Sequence, residues 1–353
     1  MLHALALLAT LSCPSPQAGA SELLPAPGGP HALGSETFHW VDEARADPFD
    51  EGQRRELVVQ LVYPASGEGD ALPYLEEPEH WVALYGPSIR EVNRAVTPRA
   101  RAGAEPAEGA FPVVLFSPGG GQSRHAYTAL LEAWASHGFV VVALSHPHAG
   151  HETFPDGSFR TPHPDWSPPR ELFEPARDAE LYAFWEPMID CLSQDQRFVL
   201  DQLEGGPEGG LPPGLAEHLD LTRVAVAGHS RGCKAAYRTA RLDPRVDACV
   251  ILDDPPPPPE RAGARVPTLV LMPVEASEAM RTHTATLEAA GDVAGAETTV
   301  VELPDATHMV GFSDLPLFVP EVFHTDRATA NRVHARVCEV TTGFLKEALG
   351  GGR

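Results

Sequence analysis

Apolar residues in this chain gather into short, nearly unbroken runs set apart by stretches rich in glycine and proline. Residues 112–116, 139–144, 247–252 and 267–272 are runs of this kind. A run this short predicts a strand buried on both faces of a parallel sheet. Residues 56–63 read differently: Leu57, Val59 and Leu61 alternate against Val58, Gln60 and Val62 before Tyr63-Pro64 stops the pattern. With residues 37–41 they predict the first two strands, and residues 298–303 the last.

Longer segments between the runs have helical spacing. A helix is expected from about His125 to Ser136, where Gly138 ends it. Residues 177–203 place Leu181, Phe184, Trp185 and Met188 on one face, with a kink or break predicted at Pro187. Residues 328–349 predict a closing helix. Strands that alternate with helices, without an internal repeat, predict an α/β fold in which one mostly parallel central sheet carries helices on both faces.

The pattern changes character at residues 223–239. Val224 and Val226 mark a strand that runs through Gly228-His229-Ser230-Arg231-Gly232 straight into an alanine-rich helix. Gly-x-Ser-x-Gly in that setting is a nucleophile elbow, which holds the serine on a sharp turn while its glycines let strand and helix approach closely. An ordinary glycine-rich turn is the plainer reading of the five residues, but the flanking strand and helix are the context an elbow requires.

A serine hydroxyl is a weak nucleophile near neutral pH and needs a base, itself oriented by an acid. Among 16 histidines, His308 suits the base, because it lies in the loop after the last predicted strand. His229 is expected to turn away from Ser230 into packing. Asp253, Asp254 and Glu275 compete for the acid. Side chains alternate along an extended segment, so Asp253 and Asp254 are not expected to face the histidine together. The glycine-rich turn over residues 117–123 lacks the Lys-Ser/Thr of a phosphate-binding loop and the spacing of a dinucleotide fingerprint. Beside a serine elbow it serves better as the source of an oxyanion-hole N–H, a role assigned to Gly120. His146, His148 and His151 have the H-x-H-x-x-H spacing of some metallo-hydrolases, but Gly150 stands where those enzymes carry an aspartate. The segment reads as a polar loop, with metal binding as the alternative.

Composition adds limits. A chain of 353 residues with 43% apolar content has room for a full core, and residues 21–353 read as one domain with loop insertions at about 67–109 and 152–175. Trp81, Val82, Leu84 and Tyr85 in the first insertion form a short candidate helix, read as local core in preference to a lipid-docking face. A net charge of −23 repels polyanions and argues against nucleic acid and anionic membranes as partners. No run beyond the first residues is long enough to span a bilayer. Residues 1–20 contain no Asp, Glu, Lys or Arg and end in Ala18-Gly19-Ala20, the pattern of a secretory signal peptide and hence of a secreted or periplasmic protein. Cys191, Cys233, Cys249 and Cys338 lie beyond it; this number permits disulfides, although Cys233 and Cys249 are expected as buried thiols.

The elbow, the strand 56–64, the Phe116-Ser117-Pro118-Gly119-Gly120-Gly121 turn, the strand ending in Leu252-Asp253 and the final His308 together resemble the plasma and bacterial type of platelet-activating factor acetylhydrolase, a family of α/β-hydrolases. The resemblance runs from about residue 37 to the end. It implies Ser230, Asp253 and His308 as the catalytic triad, favouring Asp253 over the other acids, and places the two oxyanion N–H groups at Gly120 and Arg231. It implies a serine carboxylic ester hydrolase working through an acyl-enzyme on short-acyl, phospholipid-like esters, with no metal or organic cofactor. A general carboxylesterase or polyester hydrolase is the broader alternative, and a non-catalytic binding protein of the same fold the remaining one. The sequence departs from the family at Pro118-Gly119, where His-Gly is usual, and at prolines 255–259, which replace the aromatic residues after the acid.

Overall fold

The computed structural model describes residues 23–206, 208–255, 265–276, 278–294 and 296–350. The predicted leader and most of the proline run lie outside these residues. Two long strands open the fold, β1 (Ala32–Asp47) and β2 (Asp50–Ala65), paired antiparallel as a hairpin. Both reach well beyond the stretches predicted from alternation, because hairpin pairing continues through their polar ends. Two-residue strands β3 (Asp70–Ala71) and β4 (Arg101–Ala102) extend the sheet edge beside β1. The main run then follows as β5 (Phe111–Ser117), β6 (Val140–Ser145), β9 (Leu219–His229), β10 (Val246–Leu252), β11 (Thr268–Pro273) and β12 (Thr298–Leu303). A small separate hairpin of β7 (Glu152–Thr153) and β8 (Phe159–Arg160) interrupts it.

Across the ten-stranded sheet the order is β12-β11-β10-β9-β5-β6-β2-β1-β4-β3, and every pair from β6 to β12 is parallel. Helices α1 (Pro78–Tyr85) and α2 (Ile89–Ala95) lie in the first insertion, followed by α3 (Thr128–Ser136), α4 (Asp178–Gly205), α5 (Arg231–Leu242), α6 (Glu278–Ala294) and α7 (Arg327–Gly350). Val113 and Leu115 of β5 pack on the side covered by α4 and α5, where Val199, Leu203, Ala236 and Tyr237 meet them. Val114 and Phe116 face the other side, against Leu130 and Trp134 of α3 and Val333 and Val337 of α7. Burying such side chains on both faces, at about 1.5–3 kcal/mol each, is what makes short apolar runs adequate strands.

Three local expectations change. Helix α4 runs unbroken through Pro187. Ala183 and Pro187 both lie on its exposed side, so water can satisfy the carbonyl the proline leaves free, while Trp185, Met188, Ile189 and Leu192 hold the opposite face in a buried cluster. Residues 152–175 are not simply loop but contain the β7–β8 hairpin and tight 3-10 turns. Helix α6, not anticipated from the spacing, supplies the crossover that the parallel pair β11–β12 requires. In the first insertion Trp81 is buried beside Tyr74, Leu75, Leu317 and Phe318, a local core as expected.

Candidate active site

Strands β5 and β9 are neighbours, but the chain leaves β5 towards β6 on one side and β9 towards β10 on the other. The crevice at the carboxyl ends of such a pair is where open α/β sheets bind ligands. The glycine-rich turn follows β5 and Ser230 follows β9, so the two flank this crevice. Ser230 itself has φ 54° and ψ −121°, a conformation that costs a non-glycine residue on the order of 1–3 kcal/mol. The flanking glycines make the turn possible. A Cβ on Gly228 would stand 2.3 Å from the Gly232 carbonyl carbon, and one on Gly232 would stand 2.1 Å from the Ser117 carbonyl oxygen.

Asp253 and His308 come together from the ends of β10 and β12. His308 Nδ1 lies 2.5 Å from Asp253 Oδ2. A carboxylate only accepts, so Nδ1 carries the proton and Nε2 keeps its lone pair for a base's work. Burial pulls the His308 pKa down, but the hydrogen bond and charge of Asp253, joined by the charge of Asp254, leave it raised above 6.5. Ser230 Oγ makes no hydrogen bond among the described residues, as is common in sites awaiting substrate.

The separation of the two aspartates has a different cause from the one expected. Asp253 (φ 57°) and Asp254 (φ 62°) are both left-handed, so extended alternation does not apply there. The chain turns, and Asp254 pairs with Lys234 Nζ and accepts from the Tyr182 hydroxyl at 3.4 Å. Glu275 is exposed on the surface. The Cys233 thiol ties the arrangement underneath, 2.7 Å from the Ser230 carbonyl and 3.1 Å from that of Asp253. All four described cysteines are free thiols, with Cys233 and Cys249 buried.

On the oxyanion side, Gly119 N–H donates to Tyr127 Oη, Gly121 N–H to the Ala149 carbonyl and Gln122 N–H to the Gly119 carbonyl. Gly120 N–H, between these bonded amides, takes no acceptor among the described residues. Arg231 N–H belongs to the first turn of α5, whose amides have no intrahelical acceptor. Both amides are therefore open to a carbonyl in the crevice.

His229 does more than pack, and sequence reasoning missed its partner Tyr127. His229 Nε2 lies 2.7 Å from the His308 carbonyl and Nδ1 lies 2.8 Å from Tyr127 Oη. The carbonyl fixes the proton on Nε2, and burial first, then the charges of His308 and Lys234, keep the His229 pKa well below 6.5. Nδ1 therefore accepts from the Tyr127 hydroxyl, which in turn accepts from Gly119 N–H. This chain of hydrogen bonds links the glycine-rich turn to the backbone of the base. Nothing in the local pattern signals it, because Tyr127 stands 102 positions away.

The three histidines of the candidate metal motif do not converge. His146 bonds Asp195 and Ser117, His148 lies 2.9 Å from Asp47 Oδ2, and His151 stacks on Phe159 beside Trp81 and Tyr85. The spacing fails as a ligand set because each side chain serves a different wall of the loop. His146 instead completes a buried triplet: Ser117 Oγ lies 2.8 Å from Nε2, and Nδ1 lies 2.9 Å from Asp195 Oδ2.

The chain is similar to several known proteins. Residues 90–153 match the family model of platelet-activating factor acetylhydrolase, isoform II. A protein of Arthroderma benhamiae described as a probable 1-alkyl-2-acetylglycerophosphocholine esterase is 27% identical over 254 residues, which cover 66% of this chain and 59% of that protein. The chain thus spans about three-fifths of that relative's length. Among solved structures, a ferulic acid esterase from Streptomyces cinnamoneus superimposes with a TM-score of 0.76 at 29% identity, covering 95% of this chain and 94% of the other. With an elbow at the switch point of a mostly parallel sheet, the chain has an α/β-hydrolase fold and is similar to the platelet-activating factor acetylhydrolases and to a ferulic acid esterase.

Proposed function

We propose that the chain is a serine carboxylic ester hydrolase acting through an acyl-enzyme on short-acyl, phospholipid-like esters. Ser230 Oγ attacks the ester carbonyl and His308 Nε2 takes the proton, while Asp253 holds the imidazole in the Nδ1–H tautomer. The backbone N–H groups of Gly120 and Arg231 receive the developing oxyanion. The protonated His308 then gives its proton to the leaving alkoxide, and water activated by the same imidazole hydrolyses the acyl-serine. The observation that carries this reading is the bonded Asp253–His308 pair beside a strained serine at the sheet's switch point. The likeness to an esterase of 1-alkyl-2-acetylglycerophosphocholine supports the lipid-ester substrate.

A second reading keeps the chemistry and widens the acyl group to aromatic acids. The ferulic acid esterase likeness over nearly the whole chain favours it, as do Trp166 and Trp185 beside Arg231. Labelling by an organophosphonate probe at Ser230, followed by comparison of a short-acyl phospholipid with p-nitrophenyl esters and a feruloyl ester, tests both. Failure of Ser230 to label overturns the serine mechanism. Export to the periplasm or medium belongs to the same proposal and rests on the apolar leader; N-terminal sequencing of the mature protein checks it. Among the described residues no helix is long and apolar enough to cross a membrane.

A further inference from the structure

Among the described residues, the side chain next to the nucleophile is a cation without an acid paired to it. Other arginines among the described residues hold a carboxylate: buried Arg55 with Asp195, buried Arg124 with Glu76 and Glu152, half-buried Arg45 with Asp42 and Asp195. Arg231 forms no ion pair among the described residues, although the chain carries a net charge of −23. Among the described residues Arg231 bonds through Nη1, to the Trp166 carbonyl at 3.2 Å and Met188 Sδ at 3.7 Å. Nε and Nη2 have no protein acceptor among the described residues.

Where the guanidinium lies is fixed by the glycine-rich turn. A Cβ on Gly120 would fall 1.6 Å from Arg231 Nε and 1.9 Å from Nη2, so the guanidinium rests directly on that residue. A Cβ on the preceding Gly119 would fall 3.4 Å from Ser230 Cβ. Nucleophile and guanidinium therefore sit over adjacent residues of one turn, roughly 4–8 Å apart, which is one to two residue steps. Trp185 and Met188 also lie against the cation. Burial pulls its pKa down to about 10, and the charge of Asp254 offsets only part of that. The side chain is only half-buried, so donors not used within the protein stay within reach of an anion from solvent.

We propose, building on the esterase reading, that Arg231 is the anion-recognition point of the site and selects esters carrying a carboxylate or phosphate a few atoms from the scissile carbonyl. The planar fork matches either anion, with Nε and Nη2 as the two free donors. The anion belongs to the acyl group in one case and to the alcohol in the other. Two substrate pairs separate these sources: mono-p-nitrophenyl adipate against p-nitrophenyl hexanoate, and 1-acetylglycerol 3-phosphate against 1-acetylglycerol.

The readout is the ratio of kcat/KM for the charged over the neutral member of each pair. Any general loss caused by disturbing the Arg231 backbone amide cancels in that ratio. In Arg231→Gln one ratio is expected to fall roughly tenfold, the loss of a charge-assisted hydrogen-bond pair. Arg231→Lys, which keeps the charge, falls less. Arg231→Met, whose chain suits contact with Trp185 and Met188, repeats the test should the glutamine variant fold poorly. A fall of threefold or more in either ratio supports the role and names the carrier of the anion; both ratios staying within threefold overturns it. Wild-type hydrolysis of the neutral esters and phosphonate labelling of Ser230 report on the esterase reading independently. Unchanged ratios in an active, labelled enzyme overturn the Arg231 role alone.

Discussion

Two sets of the same three residue types lie close to one crevice, and the one that looks more complete is the less suited to catalysis. In the buried set Ser117 Oγ donates to His146 at 2.8 Å and His146 donates to Asp195 at 2.9 Å. In the other set His308 donates to Asp253, while Ser230 Oγ makes no hydrogen bond among the described residues. The buried serine is fully enclosed and also accepts from Gln196 Nε2 at 2.8 Å, which leaves no path for a substrate. Its histidine side chain is 3% exposed, against 37% for His308. The charges also differ. Asp195 is shared with Arg55 and Arg45, and burial together with those arginines lowers the His146 pKa despite the carboxylate. Asp253 pairs with no arginine among the described residues, and the His308 pKa is raised. A serine, a histidine and an aspartate in a bonded row make a strut; an open, strained serine with an imidazole whose acid is unshared makes a nucleophilic site.

The largest contrast should appear on truncating the two serines. Ser230→Ala is expected to lower kcat about 10⁶-fold and abolish phosphonate labelling. Ser117→Ala should leave labelling intact and cost about 1–3 kcal/mol of stability, read from urea unfolding, because it strands the Gln196 amide. Labelling at Ser117 would break the comparison.

Next come the acids. Asp253→Asn should reduce kcat about 10⁴-fold by presenting the wrong imidazole tautomer, whereas Glu275→Gln, altering an exposed side chain, should change it little; the reverse pattern would move the acid to Glu275. Asp195→Asn should instead destabilise the fold by about 3–5 kcal/mol by leaving the buried Arg55 unpaired. Burial alone would raise the Asp195 pKa, but Arg55 and His146 depress it below its ordinary value of 3.8. The stabilisation is therefore present above about pH 4 and is lost as pH falls through the depressed pKa. The difference in urea midpoint between wild type and Asp195→Asn should shrink with acid below pH 4.

The smallest effect is the pH profile. Because His308 must be neutral to accept a proton and its pKa is raised above 6.5, the acid limb of kcat/KM should lie above that value, with activity falling as pH drops through it. A limb below 6.5 would mean that Asp253 does not control the base.

The sequence by itself determined the elements that depend on contiguous residues. Five residues, Gly228 to Gly232, sufficed for the elbow, since both glycines answer contacts made within the strand-turn-helix unit and the turn beside it. Short apolar runs sufficed for the parallel strands, because a strand covered on both faces has no polar side to show. Candidate residues for base, acid and oxyanion donor were legible as strand ends. Tertiary structure alone decided the wiring between them. It gave Asp253 to His308 and Asp254 to Lys234 through a left-handed turn no alternation rule describes. It dispersed His146, His148 and His151 among separate partners, and it joined Tyr127 and His229 to the base. A hydrogen bond between residues a hundred positions apart is set by how strands order themselves across a sheet, and that order is a property of the packed core, not of any one run of residues.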